Sequence, residues 1–128
     1  MRSRHASIAQ LVQPDFDWQQ LRQLAGEDAN FEAELLAMFL EDAEASLVQI
    51  ELAIAAQDTA QLEAIAHSLQ GASANVGASA LAQAARQLEQ IARRGELTTA
   101  PNLLGQLRRD CQTIRTEFPV QFPAQFPA

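Results

Sequence analysis

The sequence predicts an all-α protein: an antiparallel up-down four-helix bundle with a short N-terminal helical lid and an extended C-terminal tail. Every strongly periodic segment places apolar residues three and four positions apart, the spacing of one helical face. No segment shows the alternation or the β-branched enrichment that is typical of strands. Short connections between the predicted helices favour antiparallel neighbours. Because 128 residues suffice for one core, we assign residues 1–117 to the bundle domain and residues 118–128 to the tail.

The lid helix is predicted from signals at its two ends. A short amphipathic piece lies near residues 7–12, and Pro14 breaks the chain after it. Asp17 is followed three residues later by Gln20, a capping-box pattern that opens a helix, and Gly26 is typical of a helix end. We therefore expect a short helix between Asp17 and Gly26 that covers the bundle.

The first long helix is predicted to begin at Asn30, a favoured N-cap residue, and to run to about Gln57. Its apolar side chains recur at helical spacing, and its acidic side chains fall on the opposite face. The residues expected on the inner face are Phe31, Leu35, Met38, Phe39, Leu47, Ile50 and Ile54. Those expected on the outer face are Glu32, Glu41, Glu44 and Glu51.

The second bundle helix begins at a repeat of the capping pattern, Asp58 with Gln61, and ends at Gly77. Residues on one side of it recur at spacings of three and four, which predicts a buried stripe. The members of this stripe are Leu62, Ile65, Leu69, Ala72 and Val76.

Two more helices complete the predicted bundle. One runs from about Ser79 to Arg94 and is ended by Gly95. The other starts near Pro101, a residue that a first turn tolerates, and continues to about Glu117. The residues expected to be buried by the helix before Gly95 are Leu81, Ala84, Ala85, Leu88 and Ile91.

The tail repeats Phe-Pro, a small residue and Gln from Phe118 onward. Prolines at every fourth position remove backbone donors and clash with the preceding turn, so an extended, polyproline-like segment is predicted for residues 118–128. Three of the six phenylalanines lie here. Three interpretations of these phenylalanines are open: packing on the bundle, a docking motif for a partner, and terminal sequence without function.

Composition argues against several classes of function. A net charge of −7 without a long basic run speaks against a nucleic-acid partner. No apolar stretch is long enough for a membrane span or follows the amino terminus as a signal peptide would, so we expect no membrane contact and a cytoplasmic protein. A monomer is the default expectation for a bundle whose exposed surface is reserved for a transient partner. Cys111, the only cysteine, lies on an apolar stripe and is interpreted as a core residue. Two histidines do not make a metal site, and no Gly-rich loop indicates ATP binding.

His67 points away from the buried stripe of its own helix, because at about 100° per residue its direction is opposite to the mean direction of that stripe. Gly71 costs about 1 kcal/mol relative to alanine in a helix interior, and close approach of another molecule to His67 would explain it. We call the small residues one and two turns from His67 on this outer face the docking strip: Ala60, Ala64, Gly71, Ala74 and Ala78.

The residues around His67 resemble the signature of histidine-containing phosphotransfer (HPt) domains. In that family the pattern H-x-L-K-G is followed six residues later by another glycine, and here it is formed by His67, Leu69, Gln70, Gly71 and Gly77. Gln70 stands where the family usually has lysine, and all nine basic residues of the chain are arginine. The segments 17–26, 31–42 and 81–95 also read like the family, so the resemblance covers about residues 7–117.

The resemblance implies a phosphorelay intermediate. His67 would accept a phosphoryl group from an aspartyl phosphate on the receiver domain of a hybrid sensor kinase and pass it to the aspartate of a response regulator. The receiver would supply the Mg²⁺, so the chain is expected to be a phosphocarrier without a cofactor, not a complete enzyme. Glu89, at a position where the family often carries a ring-orienting residue, is expected to hold the imidazole. Gln70 is expected to contact the phosphoryl group in place of the lysine. Arg86 and Arg93 are candidates for neutralising that group or a charge on the partner, and the alternative for each is a solvated surface charge.

Two other interpretations belong to different classes of protein. One is a pseudo-HPt module that docks receivers without transfer, because Gln70 replaces the lysine. The other is a helical adaptor that acts through its Phe-Pro tail. In that interpretation His67 is an ordinary surface histidine of the bundle.

Overall fold

The computed structural model describes residues 16–121 and shows no β-strand within them. Their only bridge pairing joins Phe16 to Ala78. The all-α prediction is therefore confirmed for this part of the chain. No helix in it is long and apolar enough to cross a membrane. The amphipathic piece near residues 7–12 and the tail residues 122–128 lie outside the described range. The five helices are α1 (Trp18–Leu24), α2 (Ala29–Ala56), α3 (Thr59–Val76), α4 (Ser79–Arg94) and α5 (Ala100–Gln121).

The four long helices enclose one core. Helix α3 packs against α2 and α4, α5 also packs against α2 and α4, and α1 contacts α2 and α3. Full burial of a leucine or isoleucine side chain stabilises a protein by about 1.5–3 kcal/mol, so each of the large buried residues contributes substantially. Those that are almost completely inaccessible to solvent are Leu21, Leu36, Ile50, Leu62, Leu81, Leu88 and Leu107.

Ion pairs across the bundle show the relative direction of two helix pairs. Glu51 of α2 pairs with Arg108 of α5 at 2.9 Å, and Glu44 pairs with Arg115 at 2.9 Å. The residue numbers fall on α2 as they rise on α5, so these helices run in opposite directions. Contacts of residues 63 and 67 of α3 with residues 93 and 89 of α4 have the same reversed order.

Aspartates cap three of the helices. Asp17 accepts a hydrogen bond from the backbone N–H of Gln20, and Asp58 accepts one from Gln61, as predicted. The predicted cap at Asn30 is wrong. Asp28 accepts from the N–H of Phe31 at 3.1 Å, so α2 begins two residues earlier than the sequence pattern suggested.

Gln20 does not complete the capping box with its side chain. Its amide Nε2 instead donates to the carbonyl oxygens of Ala74 and Asn75, at 2.7 and 3.1 Å. These carbonyls belong to the last turn of α3, and that of Ala74 also accepts a 3.2 Å hydrogen bond from the N–H of Gly77. The lid helix is therefore tied to the end of α3.

The buried face of α2 only partly matches the predicted one: Phe39, Leu47 and Ile50 are buried as predicted, and Leu35 and Ile54 are half-buried. Phe31 and Met38, expected inside, are 43% and 59% exposed. Glu32, expected outside, is buried and forms an ion pair with Arg22 of α1 at 3.0 Å. The lid covers this end of α2, so a carboxylate paired with a lid arginine is buried there. The buried apolar residues of the helix are Leu36, Phe39, Leu40, Ala43, Leu47, Ile50 and Ala53.

The buried stripe of α3 differs in a similar way. Ala66 and Ser73 are buried, whereas Ile65 is half-buried and Ala72 is exposed. Alanine and serine side chains are small, and their burial lets neighbouring helices approach closely. In α4 the five predicted buried residues are all buried, and Glu89 and Ala92 join them.

Gly77 ends α3 in the left-handed region, with φ of 91°. Its carbonyl accepts a hydrogen bond of 2.8 Å from the N–H of Asp17. A Cβ atom at residue 77 would lie 2.5 Å from the carbonyl oxygen of Asp17. Only glycine therefore fits this position without a shift of the backbone.

Helix α5 continues past its predicted end at Glu117, as far as Gln121. The prediction of a non-helical tail is therefore wrong for residues 118–121. Pro119 lies in the last turn, where a missing N–H costs one hydrogen bond, and this cost does not prevent the helix from continuing. Cys111 is 2% exposed, in agreement with its interpretation as a core residue.

Candidate functional site

His67 lies on the exposed side of α3, and 73% of its side chain is accessible to solvent. Four members of the docking strip are exposed with it: Ala60, Ala64, Gly71 and Ala74. A Cβ atom added at Gly71 would meet nothing within 4 Å, so the space beside the ring is open. Ala78 is not on this surface. It is 1% exposed and lies beyond the end of α3, at the N-cap of α4, where the helical spacing no longer applies.

Glu89 holds the imidazole ring of His67. Its Oε2 atom lies 2.9 Å from Nδ1, and only 9% of the Glu89 side chain is exposed. A carboxylate oxygen accepts hydrogen bonds, so Nδ1 carries the proton and donates it. The lone pair of the other nitrogen, Nε2, is left for an incoming electrophile.

Arg93 is held by two carboxylates. Its Nη2 atom donates to Oε2 of Glu89 at 2.9 Å, and its Nε atom donates to Oε2 of Glu63 at 2.8 Å. The hydrogen bond and charge of Glu63, followed by the charge of Glu89, raise the pKa of Arg93 above its ordinary value. The positive charge of Arg93 is therefore already paired within the chain.

Glu63 is the residue of this network that sequence analysis missed. It precedes His67 by four positions, which places it one helical turn away on the same face of α3. That spacing was the available signal. The arginine that joins Glu63 to Glu89 lies on another helix, so the network itself depends on the packing of α3 against α4.

Gln70 and Arg86 lie on the other side of His67 and Glu89 from this network. Gln70 is half-buried and follows His67 by three residues, about one turn. Arg86 is exposed and precedes Glu89 by three residues on α4. Within residues 16–117, Arg86 is the one arginine for which the structure shows neither a hydrogen bond nor an ion pair.

An apolar groove runs between α2 and α3 beside His67. Its volume is about 360 Å³, and Ser68, the residue after the histidine, lines one wall. Exposed Met38 stands at the opposite wall, on α2. The groove extends the exposed surface around His67 toward α2. Its other lining residues include Leu35, Phe39, Leu69, Ala72 and Val76.

Residues 16–121 contain no group of three or more His, Cys, Asp or Glu side chains that could hold a metal ion. That the chain has no cofactor of its own stays a prediction.

Comparisons with known proteins point in one direction. Residues 34–117 match the family model described as the Hpt domain. The fold is similar to the crystal structure of histidine-containing phosphotransfer protein B (HptB) from Pseudomonas aeruginosa PAO1, with a TM-score of 0.79 and 35% sequence identity. That similarity covers 87% of this chain and 96% of the other. No match is found among curated proteins.

Proposed function

The chain belongs to the family of Hpt domains, and from this premise we propose that it is the phosphocarrier of a two-component phosphorelay, with His67 as the residue that carries the phosphoryl group. The observation that supports this proposal most directly is an exposed imidazole whose Nδ1 atom is held by a buried carboxylate. We also infer that the four long helices alternate in direction, as an up-down bundle does, because the pairs α2–α5 and α3–α4 are antiparallel and the connections are short.

The transfer step needs few groups from this chain. The Nε2 lone pair of His67 attacks the phosphorus of an aspartyl phosphate, and the new N–P bond forms as the P–O bond to the aspartate breaks. The aspartate carboxylate leaves with the electron pair. The imidazole becomes positively charged, and Glu89 stabilises this charge through the hydrogen bond that it accepts from Nδ1–H. The reverse of this step delivers the group to a second aspartate.

We assign the docking partners to receiver domains, first of a hybrid sensor kinase and then of a response regulator, both in the cytoplasm. The receiver supplies Mg²⁺ and the acidic residues around its aspartate, and this chain acts as a monomer. The exposed part of the docking strip and the apolar groove at Met38 flank His67. Together they offer a surface of mostly small and apolar side chains, with Asp42 and Asn75 also lining the groove, on which a receiver can approach the ring.

The proposal is tested by phosphate transfer from a receiver domain labelled with radioactive phosphate. We expect wild-type protein to take up acid-labile, base-stable label, as phosphohistidine does. His67→Gln is expected to take up none and to remain folded. Because the substitution alters one of the two hydrogen bonds to the buried Glu89 carboxylate, a loss of up to about 2 kcal/mol in the free energy of unfolding is expected. His5→Gln removes the only other histidine and serves as the matched control that keeps the label.

Two results would overturn the assignment. Label on the His67→Gln protein would place the phosphoryl group elsewhere. Tight receiver binding without any label on wild-type protein would favour a docking module without transfer, for which the glutamine at position 70 is the specific observation.

A further inference from the structure

A phosphoryl group on His67 brings negative charge to a site whose cations are few. The chain contains no lysine, since all nine of its basic residues are arginine. Position 70, one turn from the phosphorylated residue, carries a neutral glutamine. Arg93, the nearest arginine in the described network, already neutralises Glu63 and Glu89. The positive charge must come from another residue of the chain or from the partner.

The contacts between α3 and α4 place Arg86 opposite Gln70. Glu63 pairs with Arg93, and His67 pairs with Glu89. A step of four residues toward the end of α3 therefore corresponds to a step of four toward the start of α4. Gln70 follows His67 by three positions and Arg86 precedes Glu89 by three, so the two residues lie at the same level of this antiparallel pair.

Arg86 is also available for a new contact. It is exposed, and no residue in the described part of the chain accepts a hydrogen bond from its guanidinium. Its neighbours one turn away on α4 are the neutral Gln83 and Gln90 and the buried Glu89, whose Oε2 atom is already shared by His67 and Arg93. A guanidinium presents several donors that match the oxygens of a phosphoryl group.

We propose that Arg86 binds the phosphoryl group carried by His67, and so supplies from α4 the positive charge that position 70 of α3 lacks. This inference rests on the proposed function and extends it to a residue that is outside the family motif. Arg86 contacts the group after transfer, and its charge also lowers the barrier measured from the two separate proteins, because the phosphoryl oxygens that it approaches are negatively charged in the transition state. The site is exposed, so the effect is expected to be about fivefold in rate.

The experiment compares Arg86→Gln with Arg94→Gln. Both variants remove one positive charge from exposed positions on α4, but Arg94 points its Nε atom at Glu96, 3.1 Å away. We expect Arg86→Gln to slow phosphorylation of His67 about fivefold and to shorten the lifetime of the phosphoprotein after the receiver is removed. Arg94→Gln is expected to match wild type in both measurements.

A second measurement separates contact with the phosphoryl group from contact with the receiver. In ³¹P spectra of the isolated phosphoprotein, loss of a bound cation raises the pH at which the phosphoryl group takes up a proton. We expect this shift in Arg86→Gln, and we expect the double variant Arg86→Gln/Gln70→Lys to reverse it and to regain the transfer rate, since the lysine returns a charge at the same level of the helix pair.

An unchanged lifetime and an unchanged ³¹P titration in Arg86→Gln would overturn the inference, even if transfer from the receiver became slower, because the arginine would then contact the receiver. These outcomes leave the proposed function intact, since wild-type protein is still labelled on His67. Failure of the proposed function appears separately, as the absence of label on wild-type protein.

Discussion

One oxygen atom organises the residues around His67. Oε2 of Glu89 accepts hydrogen bonds from both His67 and Arg93, and the carboxylate that carries it is almost completely buried. A buried carboxylate is costly unless it is paired, and here two donors from different helices satisfy it. The hydrogen bond that fixes the orientation of the imidazole thus also helps to offset the free-energy cost of burying this charge.

Glu89→Gln is therefore expected to slow transfer about tenfold while the exposure of His67 is kept. The amide can still accept from Nδ1–H, but it lacks the negative charge that stabilises the imidazolium formed in the reaction. Labelling kinetics measure this loss. The ¹⁵N spectrum of the imidazole checks its cause, because Glu89→Ala should lose the Nδ1–H tautomer that wild type shows. If Glu89→Ala transfers at the wild-type rate, Glu89 does not position the ring.

At the residue scale, sequence analysis succeeded where a single helix determines the result. The exposure of His67 follows from its position opposite the buried stripe, and position 89 was singled out by resemblance to the family. The pairing of Arg93 with Glu63 could not be predicted, because it depends on the register between α3 and α4. Ala78 was assigned to the docking strip wrongly. The helical spacing was extended past Gly77, where the helix has already ended.

At the scale of single elements, two glycines of one short segment have opposite roles. Gly77→Ala is expected to destabilise the protein by about 2–3 kcal/mol, because the left-handed conformation costs about 1–2 kcal/mol and the new methyl group collides with the Asp17 carbonyl. Gly71→Ala is expected to stabilise it by up to about 1 kcal/mol, since alanine is the better helix former and the space is open.

Urea denaturation of the two variants measures both effects against wild type. The change in the free energy of unfolding is expected to be negative for Gly77→Ala and positive for Gly71→Ala. A stabilised Gly77→Ala protein would mean that the backbone at the end of α3 relaxes freely, and a strongly destabilised Gly71→Ala protein would mean that the docking strip is packed against part of the chain.

Element boundaries were the least predictable feature of the fold. Asp28 and Asn30 are both good N-cap residues, and the choice between them depends on which side chain reaches a free N–H, here that of Phe31. Three residues of α2, Phe31, Glu32 and Met38, were placed on the wrong face for another reason. Glu32 is buried because α1 brings Arg22 to it, and a contact between separate helices leaves no periodic signal in either one.

At the scale of the whole molecule, the arrangement of charge follows the arrangement of helices. Helix α2 carries six acidic residues and no basic one. Two of the six form ion pairs with Arg108 and Arg115 of α5. The arginines of α4 lie beside fewer carboxylates, because Glu63 is the only acidic residue of α3. The acidic residues are thus concentrated on α2, whereas α3, which bears His67, has only Glu63. The fold class was predictable because every helix carries its own apolar face, whereas this distribution depends on which helices become neighbours.

The buried thiol of Cys111 makes the stability of the protein sensitive to alkali. Burial, with the nearby charges of Glu44 and Asp110, raises the pKa of the thiol from 9.0 to about 12. The chain has no tyrosine and no lysine, and arginine keeps its charge in this range, so no other side chain titrates between these values. The unfolded chain loses the thiol proton near pH 9, whereas the folded protein keeps it. Folding stability is therefore complete below pH 9 and falls by at most about 1.4 kcal/mol per pH unit up to about pH 12.

Urea denaturation at pH 8, 10 and 11 measures this slope, and Cys111→Ala is expected to lose it. Parallel slopes in the two proteins would show that another process governs alkaline unfolding. With the expected result, the buried thiol of Cys111 limits the stability of this helical bundle in alkaline solution.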